Sequence, residues 1–226
     1  MREEMVGSEL SRKEREKEIL LSYSFLSILS LASRFFAIIW IGVVIFLLTF
    51  PWIWSKVAGL ESPSESEKSS RAYAFGIGTL LGTVFFIYCI ISPDAWDQFP
   101  PPFFEMQLLA GFIANALILV PMQEIYFRKW LLPRLEELTS TPNALILSSL
   151  LFMLWHLMPP FQQDSTTQIY IDVASLMGCL STFILGILCG IAYIKSRRIV
   201  APWLTHTIAG MTLVFLGKVV LFTFTE

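Results

Sequence analysis

The chain has 226 residues, of which 55% are hydrophobic and only 15% charged, against roughly 25% charged in a typical soluble domain. Mean hydropathy is +0.65, and the net charge of −2 comes with no basic patch, so nothing points to nucleic acid as a partner. The charges cluster and leave several apolar runs near the about 20 residues that cross a bilayer. The expected fold is therefore all-α: a polytopic transmembrane helical bundle of about six spans. The runs are continuous rather than alternating, which argues against a β-barrel.

Residues 1–34 begin with mixed charge, Lys13, Glu14, Arg15 and Glu16 among them, and turn gradually apolar. They predict an amphipathic surface helix leading into the membrane, with a solvated cap as its plainest role. Residues 35–226 read as the bundle. The first span is expected over about 35–54, ending in Pro51-Trp52-Ile53-Trp54, whose tryptophans suit an interface. A Ser/Glu-rich loop follows to Arg71. The second span, about 72–92, carries Gly76, Gly78 and Gly82, which permit close helix packing. Pro100-Pro101-Pro102 is a rigid stop. The third span, about 106–132, ends at Pro133 and a charged exit. The fourth, about 142–158, stops at Pro159-Pro160; the fifth, about 171–194, leads to the basic turn Lys195-Ser196-Arg197-Arg198; the sixth runs over about 200–224.

Lys and Arg fall in the loops after spans one, three and five and are missing from those after two and four. The positive-inside rule then places the odd-numbered loops in the cytoplasm. Six spans would leave the N-terminus, with five Lys/Arg in its first 18 residues, on the other side, in conflict with the same rule. The three cysteines, Cys89, Cys179 and Cys189, lie in apolar runs without metal-ligand spacing and read as small core residues. The charged start is too long and acidic for a signal-peptide n-region.

Chemistry concentrates on three spans. The third carries Gln123, Glu124 and Arg128, the fourth His156 and the sixth His206, the last two being the chain's only histidines. Glu124 and Arg128 are one helical turn apart and can pair. Ionisable groups in hydrocarbon are costly and mark functional sites by default, although a membrane histidine can also serve only as a helix–helix hydrogen bond. The residues fit two chemistries. Carboxylate and imidazole could activate water and polarise a carbonyl without a cofactor. Alternatively Glu124, His156 and His206 could hold zinc, although the spacing differs from H-E-x-x-H. A transporter is a weaker reading, because no internal repeat is visible.

These motifs, in this order, resemble the CAAX-protease and bacteriocin-processing family of intramembrane endopeptidases, whose signatures are E-E-x-x-x-R, F-x-x-x-H and H-x-x-x-N (or D). Here they stand as Gln123-Glu124-x-x-x-Arg128, Phe152-x-x-x-His156 and His206-x-x-x-Gly210. Phe183-x-x-Gly186-x-x-x-Gly190 and Ala201-Pro202-Trp203-Leu204-x-His206 are similar to the family as well. The resemblance covers about 105–215. It implies a multi-pass membrane protein, of a prokaryotic or organellar membrane, surrounded by lipid and cutting a membrane-anchored peptide or protein; it says nothing of oligomeric state. It also implies that His156 helps activate water, that His206 helps hold the oxyanion, and that Phe152 and Gly210 stand at supporting motif positions. Two positions depart from the pattern. Gln123 stands where the family's base glutamate is expected, and an amide cannot take up a proton at neutral pH. Gly210 stands where an oxyanion-holding asparagine is expected, and has no side-chain donor. In a regular helix Glu124 points about 100° away from position 123 and shares the Arg128 face, so it is not a simple replacement. A catalytically inactive relative, serving as a binding, immunity or scaffold protein, is the alternative.

Overall fold

A computed structural model of the chain describes residues 2–33, 37–57, 69–91, 113, 115–157 and 173–215. The Ser/Glu-rich loop, the Pro100-Pro101-Pro102 stop, the start of the third span, Pro159-Pro160 with the polar loop after it, and the end of the sixth span lie outside the described residues. All regular structure among the described residues is helical. We number the helices α1 (Arg2–Ala32), α2 (Ala37–Val57), α3 (Arg71–Ile91), α4 (115–138), α5 (Thr141–His156), α6 (Val173–Ser196) and α7 (Val200–Phe215).

Two of these are long and apolar enough to cross a bilayer by length and composition: Arg71–Ile91, and Cys179–Ser196 within α6. Ile41–Trp54 in α2 is a shorter apolar stretch. The remaining members are broken by charge or are short in their described part; α5 has 16 residues. The described structure thus supports a helical membrane protein and stops short of the expected six spans.

Helix α4 is irregular for a local reason. Two wide π-helical stretches, Asn115–Leu119 and Ile125–Leu131, alternate with the α-helical stretches Val120–Glu124 and Leu132–Leu138. Each α-helical stretch has its proline, Pro121 or Pro133, in its first turn. Proline lacks the N–H and its ring clashes with the carbonyl four residues back; a wide turn leading into it relieves both, and such turns recur at functional sites. The helix therefore does not exit at Pro133 as expected. It runs on to Leu138 and buries Arg134, which pairs with Glu137 at 3.3 Å.

Packing is closest where side chains are absent. A Cβ on Gly78 would lie 2.6 Å from the Ala201 carbonyl oxygen, and one on Gly82 2.8 Å from Ile208, so α3 and α7 run parallel in tight contact. Gly76, also expected to serve packing, meets nothing within 4 Å. Gly186 sits against Ser149 and Gly190 against Leu145, which sets α6 antiparallel to α5.

One end of the bundle gathers the loops that carry the basic residues. Arg197 pairs with Glu136 through both guanidinium nitrogens at 2.7 and 3.2 Å. That bridge pins a residue held at φ 51°, a left-handed conformation unfavourable for a side chain with a Cβ. Arg198 donates to the Ser69 carbonyl, and Ser69 N–H to the Ser196 carbonyl. Arg15 of α1 reaches Glu137 at this same end. The apolar half of α1 then enters the bundle, with Ile19 and Leu26 in the core, Tyr23 bonded to the Leu151 carbonyl at 2.8 Å, and Trp155 bonded to Ser30 at 2.9 Å. Where a solvated cap was expected, α1 is a packed member of the bundle. Its charged start shares the end that holds Glu137, Arg197 and Arg198.

Candidate functional site

Glu124 is the hub of a polar cluster between α4, α5 and α7. It is completely buried, as is Arg128 one turn along α4. Arg128 Nε donates to Glu124 Oε2 at 3.2 Å, and its Nη1 donates to Ser148 Oγ of α5 at 2.8 Å. Its guanidinium also lies 4.8 Å above the Phe152 ring. A buried carboxylate and guanidinium tolerate the low dielectric only while paired and hydrogen-bonded, and these contacts meet most of that demand. Arg128 Nη2 and Gln123 Oε1 are buried with no hydrogen-bond partner.

The second oxygen of Glu124, Oε1, lies 2.6 Å from His206 Nδ1. A carboxylate accepts, so His206 Nδ1 carries the hydrogen and Nε2 is turned away from Glu124. The neighbouring turn of α7 is anchored independently. Thr205 Oγ1 donates to the Gly78 carbonyl at 3.1 Å, and Trp203 Nε1 donates to the Ala116 carbonyl of α4 at 2.8 Å. His206 is therefore oriented by a carboxylate on one side and by helix packing on the other.

His156 ends α5 and does not bond to Glu124. Its Nδ1 lies 2.8 Å from the carbonyl oxygen of Phe152, one turn back. A carbonyl only accepts, so this imidazole also has its hydrogen on Nδ1, and in the neutral ring Nε2 is the free lone pair. The Phe152 ring lies 4.3 Å from the His156 ring and 5.6 Å from the His206 ring, centroid to centroid. Phe152 thus orients one imidazole through its backbone and touches both, as well as Arg128, through its side chain.

Of the residues singled out in the sequence, Glu124, Arg128 and His206 are in direct contact and His156 joins them through Phe152. Gln123 is buried beside them but aims its oxygen at no partner. Gly210, one turn beyond His206, is half-buried and supplies no side-chain group.

Sequence spacing missed Cys189. Its Sγ, the His206 nitrogen and a Glu124 oxygen lie within 4.8 Å of one another, the set among the described residues best placed to hold a metal ion. His156, the third member of the zinc trio considered from the sequence, has its Nδ1 turned back onto its own helix. Arg128 on the same carboxylate opposes any further positive charge there. The thiol instead faces the Pro202 carbonyl at 3.7 Å. The available signal was Cys189 standing next to Gly190 in a tightly packed turn of α6, which has no pattern in local spacing.

Residues 105–212 match the family model described as type II CAAX prenyl endopeptidase, Rce1-like. The matched segment contains the three motif regions, and its family is the one that those motifs resemble. Comparison with curated proteins and with solved structures finds no match.

Proposed function

Taking the family of residues 105–212 as premise, we propose that this protein is an intramembrane endopeptidase that hydrolyses peptide bonds of membrane-anchored peptides or proteins, near a lipid-anchored C-terminus or a leader peptide. The observation that carries this reading is the pair of oriented imidazoles. Each has Nδ1 committed to an acceptor, so each has Nε2 for chemistry. In the proposed step His156 Nε2 takes a proton from water, and the hydroxide oxygen adds to the scissile carbonyl carbon. His206 donates from Nε2 to the oxyanion as an imidazolium, whose charge the Glu124 carboxylate balances. The intermediate collapses as the C–N bond breaks, and the proton on His156 passes to the leaving amine. Glu124 and Arg128 are positioning residues: Glu124 holds His206, and Arg128 holds Glu124. The charge pattern supports a bundle of six spans, or of seven with α1, whose basic end faces the cytoplasm; the proposed step requires in addition a polar cavity among α4, α5 and α7 that admits water and peptide.

A second reading rests on Gln123 and Gly210. The first puts an amide at the position of the family's base, and the second removes one oxyanion donor, a loss of roughly a hundred- to a thousand-fold in comparable sites. In that reading the scaffold binds a peptide or partner helix without cutting it. One experiment separates the two: purified protein in nanodiscs, a library of membrane-tethered peptides, and the variants His156→Ala and Gln123→Glu beside the parent. Cleavage by the parent that His156→Ala abolishes establishes the enzyme. An inert parent with an active Gln123→Glu variant makes the natural chain a binding protein on a protease scaffold. Cleavage that survives His156→Ala overturns the proposed base.

A further inference from the structure

The two imidazoles of the polar cluster are held from different parts of the chain. His206 is oriented by Glu124, and both lie within the segment that matches the family. Among the described residues, His156 hydrogen-bonds only to its own helix. It is the last residue of α5, where a helix leaves its final carbonyls without intrahelical donors and tends to fray. The helix closes on a bond from Leu157 N–H to the Leu154 carbonyl at 3.2 Å. The carbonyl that orients His156, that of Phe152, belongs to this same end. Any untwisting of the last turn therefore moves the imidazole and its acceptor together.

Helix α1 supplies what this turn lacks. Tyr23 O–H donates to the Leu151 carbonyl at 2.8 Å, one residue before Phe152. Two turns further along α1, Ser30 Oγ accepts from Trp155 Nε1 at 2.9 Å, one residue before His156. Ser30 and Trp155 are both completely buried, and a buried indole N–H needs an acceptor. The Trp155 ring is thus fixed at its N–H by Ser30 and along its body by Phe127, 5.8 Å away between centroids. It meets the His156 ring edge to face, with centroids 4.8 Å apart and planes at 87°. The position of the indole is passed directly to the imidazole.

We propose that Ser30 and Tyr23 are positioning residues for His156: α1, which lies outside the matched residues 105–212, sets the last turn of α5 and with it the direction of His156 Nε2. This rests on the reading of His156 as the base that activates water, and deepens it by making that base depend on a helix remote in sequence. Without the Ser30 hydroxyl, the Trp155 N–H is an unpaired donor in an apolar core, and the indole turns towards another acceptor. Its edge leaves the imidazole, the hydrogen on His156 Nδ1 is no longer held to the Phe152 carbonyl, and the ring samples both neutral tautomers. His206, held by Glu124, keeps its own.

The test uses the full chain in nanodiscs, isotope-labelled only in its histidine ring nitrogens. The chain has two histidines, so NMR follows two imidazoles, each assigned by replacing the other with glutamine. In the parent both rings should show the Nδ1–H tautomer. Ser30→Ala should move the His156 nitrogens towards the average of the two tautomers and leave those of His206 in place. It should also lower kcat on a membrane-tethered peptide about ten-fold, the worth of one ordinary hydrogen bond, with KM unchanged. Tyr23→Phe should shift the same His156 signals by less, and it decides the matter if Ser30→Ala does not fold. Ser22→Ala removes the bond from α1 to Tyr126 of α4 instead and should move neither ring. Unmoved His156 signals in the variants that fold overturn the proposal. So does a shift of both rings together, or the same shift in Ser22→Ala, since either is a general loosening of α1. Failure of the enzymatic reading looks different. A parent that cuts no peptide, or a moved His156 with undiminished kcat, overturns His156 as base, while the imidazole signals still decide what α1 does.

Discussion

Helix α4 presents two buried faces that are held in opposite ways. On one, Glu124 and Arg128 meet Ser148 of α5 and His206 of α7 through directed bonds. On the other, Tyr126 and Trp130 meet Phe46 and Phe50 of α2 through ring contacts of 5.0 to 6.3 Å. The aromatic face is redundant, since each ring touches several others and no one contact defines its geometry. The ionic face is not. Glu124 has one oxygen for Arg128 and one for His206, so the loss of either partner leaves a charge in a medium that cannot solvate it. A helix can thus be anchored tolerantly on one side so that it can be demanding on the other.

The strongest way to break this contrast is Arg128→Ala. It strands the Glu124 carboxylate and should cost about 3–5 kcal/mol, read as a large fall in the unfolding midpoint in nanodiscs. A cost no greater than that of the aromatic-face variants would mean the pair is not a structural hub. The double variant Glu124→Gln/Arg128→Met sharpens the point. Removing both charges together should restore most of the stability lost in the single variant, while the orientation of His206 and any cleavage activity stay lost. If stability is not recovered, the cost lay in packing rather than in the unpaired charge.

On the aromatic face, Phe50→Leu nearly preserves volume and should cost under about 1.5 kcal/mol. A collapse of the fold would show the face to be as specific as the ionic one. Smallest of all is Tyr126→Phe, which removes only the hydroxyl bond to Ser22 Oγ; interhelical bonds of this type average about 0.6 kcal/mol in a membrane protein. A double-mutant cycle with Ser22→Ala should return a coupling of that size, and a coupling several times larger would make α1 a specified partner of α4.

Much of the fold could be read along the chain. Helix α3 and most of α6 are apolar runs whose length alone marks them as helices in lipid, and their observed bounds lie within a few residues of the expected ones. The continuation of α4 past Pro133 was not legible, because a proline reads as a stop unless one knows that a wide turn leads into it. Nor was the packing of α1. Its mixed charge over the first half signals a solvated surface, and the core positions Ile19 and Leu26 stand among exposed neighbours such as Leu20, Leu21 and Phe25.

The sequence by itself made four members of the polar cluster visible. Glu124, Arg128, His156 and His206 are polar residues in apolar surroundings, and the cost of burying them makes them conspicuous in one dimension. It also determined that Glu124 and Arg128 pair, since one helical turn separates them. Only the tertiary structure decided which oxygen and nitrogen atoms meet: that Glu124 holds His206 and not His156, that His156 turns back to Phe152, and that Cys189 stands beside the carboxylate. Those contacts depend on how far α3 and α6 sink against their neighbours at Gly78, Gly82, Gly186 and Gly190, and on the rotation that the wide turns around Glu124 impose on α4. Both are properties of helices packed together, and a single helix carries no trace of its neighbours' positions.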